Sequence, residues 1–288
     1  LLLPIMVHAS VAALNWRGAA LSFAVADRVR SLPRVAMLCD GAIRCISFPV
    51  ALFTMLAPTL DVSRVRAITI DLDDTLWPIW PTISRAEAVL LNWLTDHAPA
   101  TAALMGDVQA LRAIRNQMET LRPDLKGDLS GLRRESIRLA LTQAGDEAAL
   151  AEPAFDLFFA ERQRVELFAD AHDALAFLSA RYPVVALSNG NADVHRIGIG
   201  HYFRASISAS VFGVAKPDAR IFHAAASAAQ VAPHEVLHVG DDATMDARGA
   251  LDAGMQAVWI NTPNHPWPHD TPPHATVSSL TQLCHLLA

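Results

Sequence analysis

Four short apolar runs constrain this chain most, because each is continuous and β-branched and helical patterns lie between them. Ala67-Ile68-Thr69-Ile70 leads into Asp71, and Val184-Val185-Ala186-Leu187 leads into Ser188-Asn189-Gly190. Val236-Leu237-His238-Val239 leads into Gly240-Asp241-Asp242, and Ala257-Val258-Trp259-Ile260 is the fourth run. Apolar residues that do not alternate with polar ones predict strands covered on both faces, as in a parallel sheet. Helical patterns cover 173–182, 219–230 and 243–253, the last closed by Gly254. This alternation predicts a doubly wound α/β fold with a parallel sheet, with one more strand over 206–211. In such sheets ligands bind at the carboxyl ends of the strands, where the polar residues stand here.

Residues 81–165 break the alternation and read as helices throughout, over 84–96, 106–121, 129–144 and 153–164, with Pro123 and Gly145 as stops. An insertion directly after the first strand predicts a helical cap over the strand ends. The core is then 61–80 together with 166–288. Residues 1–60 differ again, being rich in Ala, Leu, Val and Arg and free of Lys. Their longest uncharged run, Cys45 to Leu60, is 16 residues with Pro49 and Pro58 inside it. A membrane span needs about 20 apolar residues, so none is predicted. Met55 reads as a natural start. Residues 1–54 read as an extension of little structure, or as one or two helices on the core.

The formal net charge is −6, with five Arg and two Asp in residues 1–60 and the remainder at −9. An acidic body lacks the basic stripe that nucleic-acid binding needs, but a local site on it can still hold a small anion. Three cysteines without regular spacing, Cys39, Cys45 and Cys284, give neither a disulfide framework nor a zinc pattern. A reducing cytoplasm is the simplest setting.

The strand ends carry the chemistry. In Asp71-Leu72-Asp73, two carboxylates leave one strand close together and repel each other. A divalent cation relieves that repulsion, and magnesium prefers oxygen ligands of this kind. One carboxylate can attack phosphorus, and the other can protonate the leaving oxygen and then activate water. Ser188 and Asn189 offer a hydroxyl and backbone N–H groups to phosphate oxygens, or an ordinary helix cap. Lys216, before Pro217, is one of only two lysines in the chain and can set one ammonium beside Asp71. Gly240-Asp241-Asp242 and Asp246 can complete a metal site, although Asp246 also suits a helix start.

With these four signals in order, the chain resembles the haloacid dehalogenase superfamily, through Asp71-Leu72-Asp73-Asp74-Thr75, Ser188-Asn189, Lys216-Pro217 and Gly240-Asp241-Asp242 with Asp246. The resemblance covers about 65–276. It implies a Rossmann-like core with an inserted helical cap. It also implies a magnesium-dependent phosphatase of small phosphorylated metabolites. Asp71 is then nucleophile and metal ligand. Asp73 is the acid/base, with its backbone carbonyl on the metal. Thr75, Ser188 and the Asn189 backbone hold the phosphoryl group, and Lys216 steadies Asp71. Asp241 binds magnesium, supported by Asp242 or Asp246. Dehalogenating members lack a carboxylate at the position of Asp73, so phosphate-ester hydrolysis fits better. Phosphonate-cleaving members use a cap lysine, for which Lys126 is the only candidate. The segments 68–76, 187–192, 238–246 and 254–260 further resemble bacterial phosphatases of flavin mononucleotide and 5-amino-6-(5-phospho-ribitylamino)uracil, which implies a place in riboflavin metabolism.

Three further residues are candidates for substrate specificity: Trp77, by stacking on a flat ring, and Arg133 and Arg134, by meeting a second anionic group. Each also has a plain reading, as cap–core packing or a solvated helix face. Two other functions use a similar set of side chains. A phospho-receiver carries an acidic cluster, a hydroxyl and a Lys on a parallel sheet, but no long insertion after the first strand. A phosphotransferase or mutase would pass the phosphoryl group to a sugar instead of water.

Overall fold

The computed structural model describes residues 34–39 and 42–47, for their backbone, and 59–288 in full. The chain divides into two units, Leu1–Ala57 and Pro58–Ala288. In the first, β1 (Arg34–Cys39) and β2 (Ala42–Ser47) pair antiparallel, with Arg34 opposite Ser47 and Cys39 opposite Ala42. This corrects the expectation of a structureless or helical extension for these residues. The sequence signal was present: Asp40-Gly41 between two apolar runs is a hairpin dipeptide. Met55 and the side chains of Cys39 and Cys45 lie outside the described residues.

The second unit is built on a six-stranded sheet of β3 (Ala67–Ile70), β4 (Val184–Ser188), β5 (Ala205–Ser208), β6 (Val236–Gly240), β7 (Gln256–Ile260) and β8 (Ala275–Val277). Their order is β5-β4-β3-β6-β7-β8, and every pairing is parallel. The central strand β3 sets Ile68 opposite Val184 on one side and Leu237 on the other. Side chains one apart leave opposite faces of a strand. Ile68, Ile70, Val184, Ala186, Leu237 and Val239 therefore join one apolar cluster, while Ala67, Val185, Leu187 and Val236 join the other. Burial of each Ile, Leu or Val side chain contributes roughly 1.5–3 kcal/mol. Both faces are covered, which is why the runs do not alternate.

Five helices interrupt the core after β3: α1 (Ile79–His97), α2 (Pro99–Met105), α3 (Val108–Leu121), α4 (Leu129–Ala144) and α5 (Ala151–Arg162). They enclose a third apolar cluster, including Leu90, Leu94, Ile137, Leu141, Phe155 and Phe158. Asp107 and Asp128 cap α3 and α4 by accepting from Ala110 N and Gly131 N. Gly145, at φ 82°, closes α4 in a left-handed conformation that suits glycine. α1 starts five residues before the sequence pattern predicts, because Pro81 is tolerated in a first turn. The root of this segment is tied: Phe168 N donates to Leu76 O at 2.9 Å.

The remaining helices are α6 (Ala171–Ser179), the single turns α7 (Val194–Ile197) and α8 (Ala209–Phe212), α9 (Ala219–Ala229), α10 (Gly249–Asp252) and α11 (Leu280–Leu286). The strand expected over 206–211 is cut short by α8, and Val211 is 88% exposed, so nothing buried holds it extended. Residues 261–274 are a loop as expected, and β8 after it has only three residues, too few for a periodic signal. No described helix is long and apolar enough to cross a membrane.

Candidate active site

The order in which strands are added reverses at β3, with β4 on one side and β6 on the other, while all strands stay parallel. Asp71 leaves the end of β3 between them, and its N–H donates to Val239 O at 2.9 Å, so the ladder fixes its backbone. Behind it the chain turns tightly. Leu76 N donates to Leu72 O, Asp74 adopts φ 59°, and Ile79 N donates to Asp74 Oδ1 at 2.9 Å. Asp71, Asp73, Ser188, Asn189, Lys216, Asp241, Asp242 and Asp246 then line one cavity of about 980 Å³.

Lys216 is buried and donates from Nζ to Asp71 Oδ1 and to Asp246 Oδ1, both at 2.5 Å. Its backbone is clamped by Asn189, whose Oδ1 accepts from Lys216 N at 2.8 Å and whose Nδ2 donates to Lys216 O at 3.1 Å. Burial works against the ammonium, but Asp246 and Asp71 outweigh it and its pKa is raised. Two carboxylates share this one cation. Asp246 has further donors, since its Oδ1 also meets His238 Nε2 at 3.1 Å and its Oδ2 accepts from Asp242 N at 3.0 Å. Burial opposes its charge, yet Lys216 and then His238 hold it down at about 2. Asp71 is left with burial as the dominant influence, against the attraction of Lys216, and its pKa lies well above the usual carboxylate range. Asp241 is pushed up to about 7 by burial and then by Asp246, against a hydrogen bond from Thr75.

Carboxylate oxygens of Asp71, Asp241 and Asp246 lie within 4.8 Å of one another. Among the described residues this is the group able to hold a metal ion. Asp73 faces the same cavity but looks elsewhere with its carboxylate. Arg162 Nη2 donates to its two oxygens at 2.8 and 2.7 Å, and Trp77 Nε1 donates to Oδ1 at 2.9 Å. Burial raises its pKa and Arg162 opposes the rise. Gly190 leaves room beside it, since a Cβ there would stand 2.4 Å from Asp73 Oδ2 and push that carboxylate aside.

Thr75, Trp77, Arg134 and the Asp242 carboxylate are placed otherwise than the sequence suggests, while Arg133, Ser188 and Lys126 line cavities. Thr75 is buried, and its hydroxyl donates to Asp241 Oδ1 at 2.9 Å, so it steadies a carboxylate and does not line the main cavity. Trp77 is fully buried in the core and cannot stack on a substrate ring. Arg134 lies over Phe155 at 4.2 Å and pairs with Glu152, and it lines neither of the two cavities beside Asp73. Asp242 lines the cavity, yet its carboxylate caps the wide π turn Ala243–Arg248 by accepting from Thr244 N and Met245 N at 2.7 Å. Arg133 is buried and lines a second cavity beside the first. Ser188 is buried with its Oγ accepting from Gly190 N at 2.9 Å. Lys126 stands exposed at the rim.

Two functional residues escaped the sequence reading. Arg162, 1% exposed, has its partner Asp73 89 residues away, and no local pattern signals that pairing. His238, wholly buried, bridges Thr69 Oγ1 at 2.8 Å and Asp246. A histidine inside an otherwise apolar strand was the available signal for it.

The haloacid dehalogenase-like hydrolase family model matches residues 65–254. The chain is 35% identical over 235 residues to the 5-amino-6-(5-phospho-D-ribitylamino)uracil phosphatase of Escherichia coli, covering 78% of this chain and 98% of that one. It is 28% identical over 239 residues to the N-acylneuraminate-9-phosphatase of Mus musculus, covering 79% and 96%. Among solved structures, a 2-haloacid dehalogenase from Pseudomonas syringae matches with a TM-score of 0.72 and 36% identity, over 77% of this chain and 98% of that one.

Proposed function

Because the chain belongs to the haloacid dehalogenase-like hydrolase family, we propose that it is a magnesium-dependent phosphatase of small phosphate monoesters with Asp71 as its nucleophile. One observation carries this: Asp71, held by Lys216 at 2.5 Å, opens onto the same cavity as a second carboxylate, Asp73, that is not itself tied to the lysine. A nucleophile and a separate acid/base on one cavity are what two-step phosphoryl transfer requires.

The donor set fits magnesium. Its side-chain ligands are carboxylate oxygens only, three of them converge, and one ammonium leaves them under-neutralised. Asp71, Asp241 and the Asp73 backbone carbonyl would hold the ion, with Asp246 anchoring Lys216 behind them. When bound, magnesium supplies neutralisation of phosphate-oxygen charge. The remaining chemistry belongs to the chain. The Ser188 hydroxyl and Asn189 backbone N–H orient the phosphoryl oxygens. An Asp71 carboxylate oxygen attacks phosphorus, the bond to the alcohol oxygen breaks, and Asp73 gives that oxygen its proton. Asp73 then takes a proton from water, whose oxygen attacks the phosphorus of the aspartyl phosphate. Inorganic phosphate leaves and Asp71 returns as carboxylate. The helical segment α1–α5 serves as the cap.

The substrate assignment is 5-amino-6-(5-phospho-D-ribitylamino)uracil or flavin mononucleotide, within riboflavin metabolism. The Escherichia coli relative supports it, since this chain spans 98% of that phosphatase. A dehalogenase reading is favoured by the Pseudomonas syringae structure. Asp73 weighs against it, because a carboxylate beside a departing halide repels the developing negative charge.

The decisive measurement is phosphate release from para-nitrophenyl phosphate with magnesium, for wild type and Asp71→Asn. Loss of roughly 1,000-fold or more in kcat is expected. Equal release by both proteins, or chloride release from 2-chloropropionate in place of phosphate release, would overturn the phosphatase assignment.

A further inference from the structure

A second cavity, of about 300 Å³, lies beside the main one and shares Asp73, Leu129 and Gly190 with it. Its volume is at the lower end of ligand pockets, about 300–1,000 Å³. The shared wall decides what it is for. If Asp73 protonates the leaving oxygen, that oxygen must sit against Asp73. The rest of the alcohol then extends past it, toward the second cavity.

The charge there is unbalanced. Arg112 and Arg115 project from one face of α3, Arg133 comes from α4 and Arg162 from α5, and all four line the cavity. Glu87 and Asp73 are the only acids lining it. Glu87, 1% exposed, is consumed by Arg112 at 2.7 Å and Arg133 at 3.1 Å. Asp73 is consumed by Arg162, whose Nη1 is buried without any partner. Arg115 pairs at 2.9 Å with Glu119, which is half exposed and faces solvent, so that pair neutralises little. Arg133 registers the crowding. Burial lowers its pKa, Glu87 opposes this, and Arg115 and Arg112 add repulsion. Beside the Asn116 amide and the Trp80 indole N–H, the donors left over in this cavity are guanidinium N–H groups, which give hydrogen bonds and accept none. Arg is also the side chain that best meets planar oxygen pairs.

We propose that this cavity is the leaving-alcohol subsite, and that it selects alcohols ending in anionic or carbonyl oxygens over alcohols ending in an ammonium. Arg115 is the specificity residue with the least structural duty, since it is partly exposed and does not touch Glu87. The subsite rests on the phosphatase assignment above.

The test compares kcat/KM for butyl phosphate, 4-phosphooxybutanoate and 4-aminobutyl phosphate, whose leaving oxygens are chemically alike. Uridine 5′-phosphate and cytidine 5′-phosphate form a second arm, which replaces a ring carbonyl by a ring amino group. The carboxylate ester is expected to exceed the ammonium ester by about tenfold or more, near 1.4 kcal/mol. Preference for the uridine ester assigns the subsite to carbonyl rings, and preference confined to the carboxylate ester assigns it to charged ends. Arg115→Glu is expected to lower the carboxylate-to-ammonium ratio at least tenfold, with Arg115→Gln intermediate and serving in its place if Arg115→Glu does not fold. An unbiased wild type in both arms, or ratios that Arg115→Glu and Arg115→Gln leave unchanged, overturns the subsite. Failure to release phosphate from any ester, para-nitrophenyl phosphate included, overturns the phosphatase assignment itself.

Discussion

Asp73 carries two opposed influences: burial favours its neutral acid, and the Arg162 guanidinium favours its carboxylate. A general acid must be protonated when the alcohol leaves, so the balance sets the alkaline limit of activity. Arg162→Met removes the opposing influence. Its expected effect is a shift of the falling limb of the kcat/KM–pH profile to higher pH, together with lower kcat. A limb that stays in place would show that Asp73 is not the acid. Asp73→Asn is expected to lose about 100- to 10,000-fold for butyl phosphate. The loss for para-nitrophenyl phosphate is smaller, because nitrophenolate leaves without a proton. Equal losses for both esters would remove the acid role. Asp71, Asp73, Lys216, Asp241 and Asp246 were legible because each adjoins a strand end or a loop beside one. Thr75 and Trp77 were misread because they leave a turn, where no periodicity says which way a side chain points. Arg162 was illegible because its partner is distant in sequence and its own neighbourhood is ordinary helix.

At the scale of elements, continuous apolar runs predicted β3, β4, β6 and β7 to within a residue, since burial on both faces leaves no other pattern. The short pieces were lost. β8 has three residues, α2 has seven, and α8 replaces half of an expected strand. Each is fixed by what surrounds it, not by its own composition. The junction between β6 and the π turn shows how closely such elements are fitted. A Cβ on Gly240 would stand 2.3 Å from Asp246 Cγ, and Asp246 is held in place by Lys216, His238 and Asp242 N. The carboxylate cannot swing aside without releasing the lysine that holds Asp71. Gly240→Ala is therefore expected to cost about 1–3 kcal/mol in urea unfolding, from overpacking. It should also lower kcat more than it raises KM. Wild-type stability and kcat in this variant would show that the junction is loose.

For the whole molecule, the crowded carboxylates are expected to make stability depend on pH and, if they hold magnesium as proposed, on the ion together. Asp241 titrates near 7 in the folded chain, far above the ordinary value of about 3.9 that it has when unfolded. Between those values the folded chain holds a proton that the unfolded chain has lost. Raising the pH through this window therefore destabilises the metal-free fold. Asp71 adds to the trend in the same direction. A cation at these carboxylates replaces that proton and reverses the penalty, and its affinity falls where the proton competes. A ligand that binds only the folded chain adds about 2.7 kcal/mol at a hundredfold excess over its Kd. Melting curves with 10 mM magnesium and with a chelator should then diverge at pH 8 and converge at pH 5.5. Asp241→Asn should abolish most of the magnesium-dependent rise at pH 8 while raising the metal-free Tm, because it removes one half-buried charge from the cluster. A magnesium effect of equal size at both pH values would mean that the ion binds elsewhere, and that the convergence of Asp71, Asp241 and Asp246 serves another purpose.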